Sequence, residues 1–226
     1  MIISPMKVTY RRHMGDDLTI VDAARVSFDK ESKWEDTDSR FNQLNHDDSK
    51  LINYLAKHKH WSPFAHTSVQ LRVKAPIFVA RQLVKHQVGG VWNEVSRRYV
   101  DSEPEFWFPE VWRGRPVNAK QGSNGMIDNV FTKQLVDVTS KDTMGNALAA
   151  YIYMLGEGVA PEQARMVLPQ NMMTEWIWTG SLMFWCRVCR ERLAPGAQAE
   201  TREVAEQIAE IVAPLFPVSW AALMEK

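Results

Sequence analysis

Residues 68–73 (SVQLRV) alternate apolar and polar positions, as a strand with one buried face does. The spacing then becomes helical. From Pro76 onward, Ile77, Ala80, Leu83 and Val84 fall on one face, and Arg81, Gln82, Lys85 and His86 on the opposite one. Pro76 suits a first helical position, where its missing N–H would have no partner in any case. The paired Gly89-Gly90 predicts the break, because glycine lifts the side-chain limits on the backbone. Asn93, Glu94, Ser96, Arg97 and Arg98 follow in a predicted loop. Residues 74–99 (KAPIFVARQLVKHQVGGVWNEVSRRY) thus gather amide, imidazole, ammonium, carboxylate, hydroxyl and guanidinium groups on one helix and its exit. A merely solvated face would favour Glu and Lys over Gln, His, Asn and two consecutive Arg.

The rest of the chain carries weaker versions of the same periods. Residues 7–10 predict a short strand, and 16–28 a helix with acidic residues at its start, ending in AARVSF, where Arg25 and Ser27 lie beside apolar anchors. Residues 29–48 are polar and aperiodic, so they read as a loop. Residues 48–58 predict a helix with Leu51, Ile52 and Leu55 inward. An aromatic, proline-punctuated extended stretch occupies 103–112, and RGRPVNAKQGSNG (113–125) predicts a loop. Residues 126–156 read as a long helix and 161–168 as a short one closed by Pro169. Residues 172–179 read as a strand, and 181–193 and 198–215 as helices, with a short C-terminal helix after them. Helices dominate, with three to five strands. The expected fold is α+β (mixed α/β): a single domain, 1–226, with a central antiparallel or mixed sheet flanked by helices.

Composition narrows the function. Lys plus Arg and Asp plus Glu both number 27, so no global field favours a nucleic acid, and any anion site must be local. No linker, repeat or low-complexity tract divides the chain. The first residues lack the pattern of a signal peptide, and no apolar run has membrane-spanning length. Only two cysteines occur. A cytoplasmic, reducing setting is expected. Cys186 and Cys189 lie inside a helical pattern with no strand–turn before them, as two small core residues would. There is no P-loop, G-x-G-x-x-G or G-x-S-x-G. His58, His60 and His66 crowd one turn, but their spacing matches no zinc motif and no metal is expected.

Arg192 shares the apolar face of its predicted helix with Ser181, Trp185 and Val188. A guanidinium among buried groups calls for an anionic partner, either a core carboxylate or a substrate on which negative charge develops. Arg165, in EQARMVLP, is a weaker case of the same kind.

These pieces resemble one known family. Residues 74–99, AARVSF (23–28), HWSPFAH (60–66), RMVLPQN (165–171) and WTGSLMFWCRVCRERLAPGAQ (178–198) are similar, in order, to the flavin-dependent thymidylate synthases. The family's Arg-His-Arg triplet is Lys85-His86-Gln87 here, the run to Ser96 is one residue longer, and a later family histidine is Gly196. These departures mark a divergent subfamily.

The resemblance implies an FAD enzyme without a Rossmann motif, working as a homotetramer with shared sites. It would convert dUMP to dTMP with methylenetetrahydrofolate as carbon donor and NADPH as reductant. Carried over by position, Gln82, Lys85, Glu94, Val95, Ser96, Arg97, Arg98 and Arg165 would line the nucleotide site. Ser62, Lys85, His86, Gln87, Glu94, Ser181 and Arg187 would surround the flavin. Arg192 would contact and activate the pyrimidine, and His60 would face the folate. The alternatives on the same residues are a flavin-dependent pyrimidine hydroxymethylase and a nucleotide-binding protein without catalysis.

Overall fold

The alternation seen at 68–73 continues further than expected. In the computed structural model, which describes residues 1–35, 43–117 and 122–225, four strands build the main sheet: β1 (Lys7–Met14), β2 (Ser68–Pro76), β3 (Gly90–Glu94) and β4 (Met173–Gly180). Their spatial order is β1-β2-β4-β3, and every neighbouring pair is antiparallel. Two minor pairings accompany it: Ile2–Ile3 runs parallel to Glu105–Phe106, and Arg113–Gly114 pairs with Asn124–Met126. The period of two is strict on β2, where Val69, Leu71, Val73 and Ala75 are all buried. Opposite them on β4 stand Gly180, Trp178, Trp176 and Thr174. The other face carries polar pairs, such as Arg72 with Glu175 at 2.6 Å.

Among the described residues, seven helices accompany the sheet: α1 (Asp17–Arg25), α2 (His46–Lys57), α3 (Ile77–Leu83), α4 (Val130–Gly156), α5 (Leu182–Arg192), α6 (Ala199–Val212) and α7 (Pro217–Met224). A turn of helix at Pro161–Ala164 runs into a 3₁₀ turn at Arg165–Val167. Residues from α1, α2, α5, α6 and α7 share one core with the apolar face of the sheet. A smaller cluster joins Phe106, Met144, Leu148 and Met172. Caps mark the helix starts: Asp16 and Thr19 form a reciprocal capping box on α1, and Ser181 accepts from Phe184 N–H on α5. Asp17, 2% exposed, accepts the Val218 and Ser219 N–H groups and ties α7 to α1.

Several expectations are corrected. The helix expected to run to Gly89-Gly90 ends at Leu83, and Asn93 and Glu94 sit on strand β3. Pro76 closes strand β2 and stands just before the helix. On α3, Val79, Ala80 and Leu83 are buried, whereas Ile77 and Val84 are half-buried. Strand β1 runs four residues past Tyr10, to Met14. The loop expected at 29–48 already contains the start of α2, and its residues 36–42 lie outside the described residues. The loop expected at 113–125 is bounded by paired strands, with 118–121 outside the described residues. Leu51 on α2 is only partly buried.

Gly90 and Gly180 face each other across β3 and β4. A Cβ on Gly90 would come within 2.5 Å of the Phe184 ring, and one on Gly180 within 2.1 Å. The two glycines therefore leave the slot that seats Phe184 against the sheet. Gly180→Ala is expected to destabilise the fold by about 1–3 kcal/mol through overpacking, read as a lowered midpoint in urea denaturation.

Asp48 is fully buried and accepts from Arg25 Nε at 2.9 Å, Ser32 Oγ at 3.0 Å and Asn45 Nδ2 at 2.7 Å. Arg25→Met removes its cation and leaves an uncompensated charge. A loss of about 3–5 kcal/mol is expected, and Arg25→Met with Asp48→Asn together should recover part of it.

Candidate active site

Helix α3 stops at Leu83 because the chain must turn and enter strand β3 at Gly90, opposite Gly180. The turn carries Lys85, His86 and Gln87 off the helix. Lys85 and Gln87 project into solvent. His86 turns inward, its side chain only 9% exposed, and meets the C-terminal end of α5. There Arg192 Nε donates to His86 Nε2 at 2.9 Å, across 106 residues of sequence. Arg192 is not sealed among apolar groups as its helical position predicts. Its side chain is 23% exposed, and among the described residues no core carboxylate pairs with it: the nearest, Glu191 Oε2, lies 3.9 Å from Nη2 and is itself exposed. Burial, followed by the adjacent Arg192 cation, pushes the His86 imidazole below its ordinary range.

Gln82 stands one turn earlier on α3. Its Nε2 donates to Gln198 Oε1, and its Oε1 accepts from Thr201 Oγ1 at 3.3 Å. Gln198 in turn donates to Glu200 at 2.9 Å, and Glu200 receives Arg113 Nη2 on both oxygens at 2.6 and 2.8 Å. Burial works to raise the Glu200 carboxyl, but the Arg113 and Gln198 bonds outweigh it and hold it below the usual carboxylate range. Arg202 braces the same corner, donating to the carbonyls of Ala194, Pro195 and Ala197 just beyond Arg192. None of Arg113, Gln198, Glu200, Thr201 or Arg202 stands out in the sequence. Their only signal is the long-range pairing itself.

A second group lies beside strand β3. Glu94, Val95, Arg97 and Arg165 line a cavity of about 460 Å³ together with Lys74, Glu103, Glu105 and Glu175. Thr174 Oγ1 donates to Glu94 Oε1 at 2.6 Å and Trp92 Nε1 to Oε2 at 3.2 Å, so both carboxylate oxygens are engaged. Lys74 pairs with Glu105 at 2.6 Å. Arg97 donates to the Ser102 carbonyl, and Arg165 Nε to that of Glu162 at 3.2 Å. Arg98 is absent from the lining. It turns back to Ser96 Oγ at 3.3 Å and lies over the Tyr99 ring.

A third group flanks α5. His60 and Arg187 line an open cavity of about 820 Å³ with Lys57, Lys59, Trp61 and Arg190. Ser62 caps the 3₁₀ turn Pro63–Ala65 beside it, without a side-chain bond, and Ser181 Oγ accepts from Phe184 N–H at 3.3 Å at the start of α5. His58 packs tilted against the Tyr54 ring and His60 edge-on to it, and no cluster able to hold a metal occurs among the described residues. Cys186 and Cys189 are both free and fully buried. Burial pushes the Cys189 thiol up to about 12, and Cys186 further in the same direction. Neither supplies a thiolate nucleophile.

One chain therefore brings His86 to Arg192, and separately Glu94, Val95 and Arg97 to Arg165, and His60 to Arg187. It does not gather all of them around one point. Chemically, the first group offers a fixed guanidinium edge, the second cations beside hydrogen-bonded carboxylates, and the third an aromatic and cationic wall.

A family model described as "Thymidylate synthase complementing protein" matches residues 11–218. A flavin-dependent thymidylate synthase of Thermus thermophilus is 41% identical over 212 residues, covering 94% of this chain and 73% of that protein. That of Thermosipho africanus is 34% identical over 94% of this chain and 88% of its own length. A UMP/dUMP methylase, PolB from Streptomyces cacaoi, solved with 5-Br dUMP, superposes with a TM-score of 0.82 at 29% identity, over 98% of this chain and 95% of that one. With a match across nearly the whole fold and relatives above 30% identity, the chain belongs to the thymidylate synthase complementing protein family.

Proposed function

We propose that the protein is a flavin-dependent thymidylate synthase that methylates dUMP to dTMP, with methylenetetrahydrofolate as the carbon donor and NADPH as the source of reducing equivalents through FAD. The observation that carries this reading is the meeting of Arg192 with the 82–98 segment in a chain of this family. C5 of uracil is a weak nucleophile, and its attack on a one-carbon unit draws electron density from the ring onto O4 and N3. A guanidinium beside that edge stabilises the charge as it develops. Arginine stays protonated at neutral pH, so charge stabilisation rather than proton abstraction is its role. Arg97 and Arg165 line one cavity, which supports reading them as the pair that grips the phosphate, with Arg98 close in sequence. Gln82, Lys85, Glu94, Val95 and Ser96 complete the proposed nucleotide set.

The residues assigned to FAD suit an anionic, aromatic group. Lys85 and Arg187 supply cations, Trp61 is 62% exposed beside Arg187, and Ser62, His86, Gln87, Glu94 and Ser181 contribute polar groups on the same segments. When bound, reduced flavin supplies the hydride that completes the methyl group. His60 lies in the same cavity as Arg187, which supports its assignment toward the folate.

The scatter of these groups in one chain supports a homotetramer whose sites are shared. Helix α4 supports it independently. It spans 27 residues, yet only Met144, Leu148 and Tyr151 are buried, while Phe131, Leu135, Val138, Ile152 and Tyr153 are exposed by 54% or more. An apolar helix face of this extent fits a subunit interface.

Lys85 and Gln87, in place of the family's arginines, leave room for a second reading in which water rather than hydride captures the one-carbon unit. Mass spectrometry of the nucleotide product separates the two. A gain of a methyl group is expected, and a hydroxymethyl product would overturn the thymidylate reading. Purified protein is expected to be yellow, with a flavin absorbance that changes when dUMP is added. A colourless protein that takes up no FAD would favour nucleotide binding without catalysis. Arg192→Ala is expected to abolish turnover while circular dichroism and molecular mass in solution stay unchanged. Near-normal activity in that variant would refute the role given to Arg192.

A further inference from the structure

Arginine has five N–H donors and no acceptor, so a hydrogen bond from Arg192 Nε fixes the state of whatever receives it. At 2.9 Å the receiving atom, His86 Nε2, must present a lone pair, which puts the imidazole proton on Nδ1. Among the described residues, neither Nη nitrogen of Arg192 makes a hydrogen bond, and Glu191 stays 3.9 Å away. The guanidinium is thus held by its inner edge and leaves its outer fork open.

We propose that His86 is a positioning residue for Arg192: as a neutral imidazole it accepts the Nε–H and aims the two Nη groups at the pyrimidine. The proposal rests on the role given to Arg192 above. The early end of α3 makes the contact possible. A helix continued through residue 86 would have turned that side chain to the polar face of α3. Instead the turn after Leu83 lays it against α5. The charged groups that act on the ring are all from α5: Arg192, Glu191 and Arg187. The Glu191 side chain is 62% exposed, and solvent screens its pull. Burial and the two arginines keep the ring neutral.

The consequence has a sign. Protonation puts a hydrogen on Nε2 and sets two donors and two cations face to face. The bond to Arg192 is then lost, so turnover should fall as pH drops through the folded-state pKa of His86, which lies below the ordinary histidine value. Above that point this group contributes no further change.

The test compares kcat and KM for dUMP, from about pH 5 to about pH 8, in flavin-loaded wild-type enzyme, His86→Gln and His86→Phe, with flavin absorbance per chain measured for each. His86→Phe should lose roughly 10²-fold in kcat at every pH, the scale of a misplaced catalytic group, with KM little changed. His86→Gln offers an acceptor that does not titrate, and it should retain most of kcat and lose the acid limb. A wild-type kcat in flavin-loaded His86→Phe, or an unaltered acid limb in His86→Gln, overturns the proposal. So does a loss of activity that merely follows loss of flavin. If neither variant folds, ¹⁵N NMR of the wild-type histidines decides, since a protonated Nε2 on His86 at neutral pH would rule it out. An active Arg192→Ala would instead sink the role of Arg192, so the two failures are distinguishable.

Discussion

Phe184 in the slot between Gly90 and Gly180 is the contact from which the site is built. It fixes three elements at once. It seats α5 on the sheet, it requires β3 and β4 to pair at their glycines, and it sets where the chain leaving α3 must re-enter the sheet. Trp178 and Trp185 extend the same packing, with ring centroids about 5 Å from one another and from Phe184. Arg192 lies eight residues beyond Phe184, two turns or about 12 Å along the helix. Its position is therefore inherited from an aromatic ring that touches no reacting group.

Polar order is layered onto that packing. Gln82, Gln198, Glu200 and Arg113 form a chain of bonds from α3 through the start of α6 to the strand at Arg113–Gly114. Most of these groups are half-buried or less exposed, where an unpaired amide or carboxylate costs more than the bond gains. The network therefore specifies one arrangement of α3 against α6. Arg202 does the same for the segment that follows Arg192, where it donates to three carbonyls, those of Ala194, Pro195 and Ala197.

Periodicity made much of the frame legible. The alternation of β2, the acidic start of α1 and the apolar face of α5 are local properties, and each is written in a few consecutive residues. The end of α3 is not local. Nothing in Val84-Lys85-His86-Gln87-Val88 forbids a helix, and the helix stops because strand pairing at Gly90 outweighs propensity. Asn93 and Glu94 were hidden for the same reason, since β3 is a strand by virtue of its partner β4. The polar chain from Gln82 to Arg113 was illegible because its members lie far apart in sequence, and a glutamine gives no sign of which amide it will meet. Helical position already pointed to Arg192 and the resemblance proposed a role for it, but neither could show that its neighbour would be His86.

The carbon chemistry proposed here puts unusual weight on that neighbour. An enzyme that activates uracil through a thiolate can tolerate some freedom in its charged groups, because a covalent bond holds the substrate. This chain has no such anchor, since burial holds both thiols protonated. Orientation of the pyrimidine against a one-carbon unit must then come from noncovalent contacts, and a guanidinium free to rotate would spend its charge on solvent. A carboxylate would hold Arg192 more strongly than an imidazole does, but it would also neutralise the charge that the developing anion needs. A neutral imidazole fixes direction without cancelling charge. That combination explains why a buried histidine, and not the exposed Glu191 at 3.9 Å, is the group in contact with Nε.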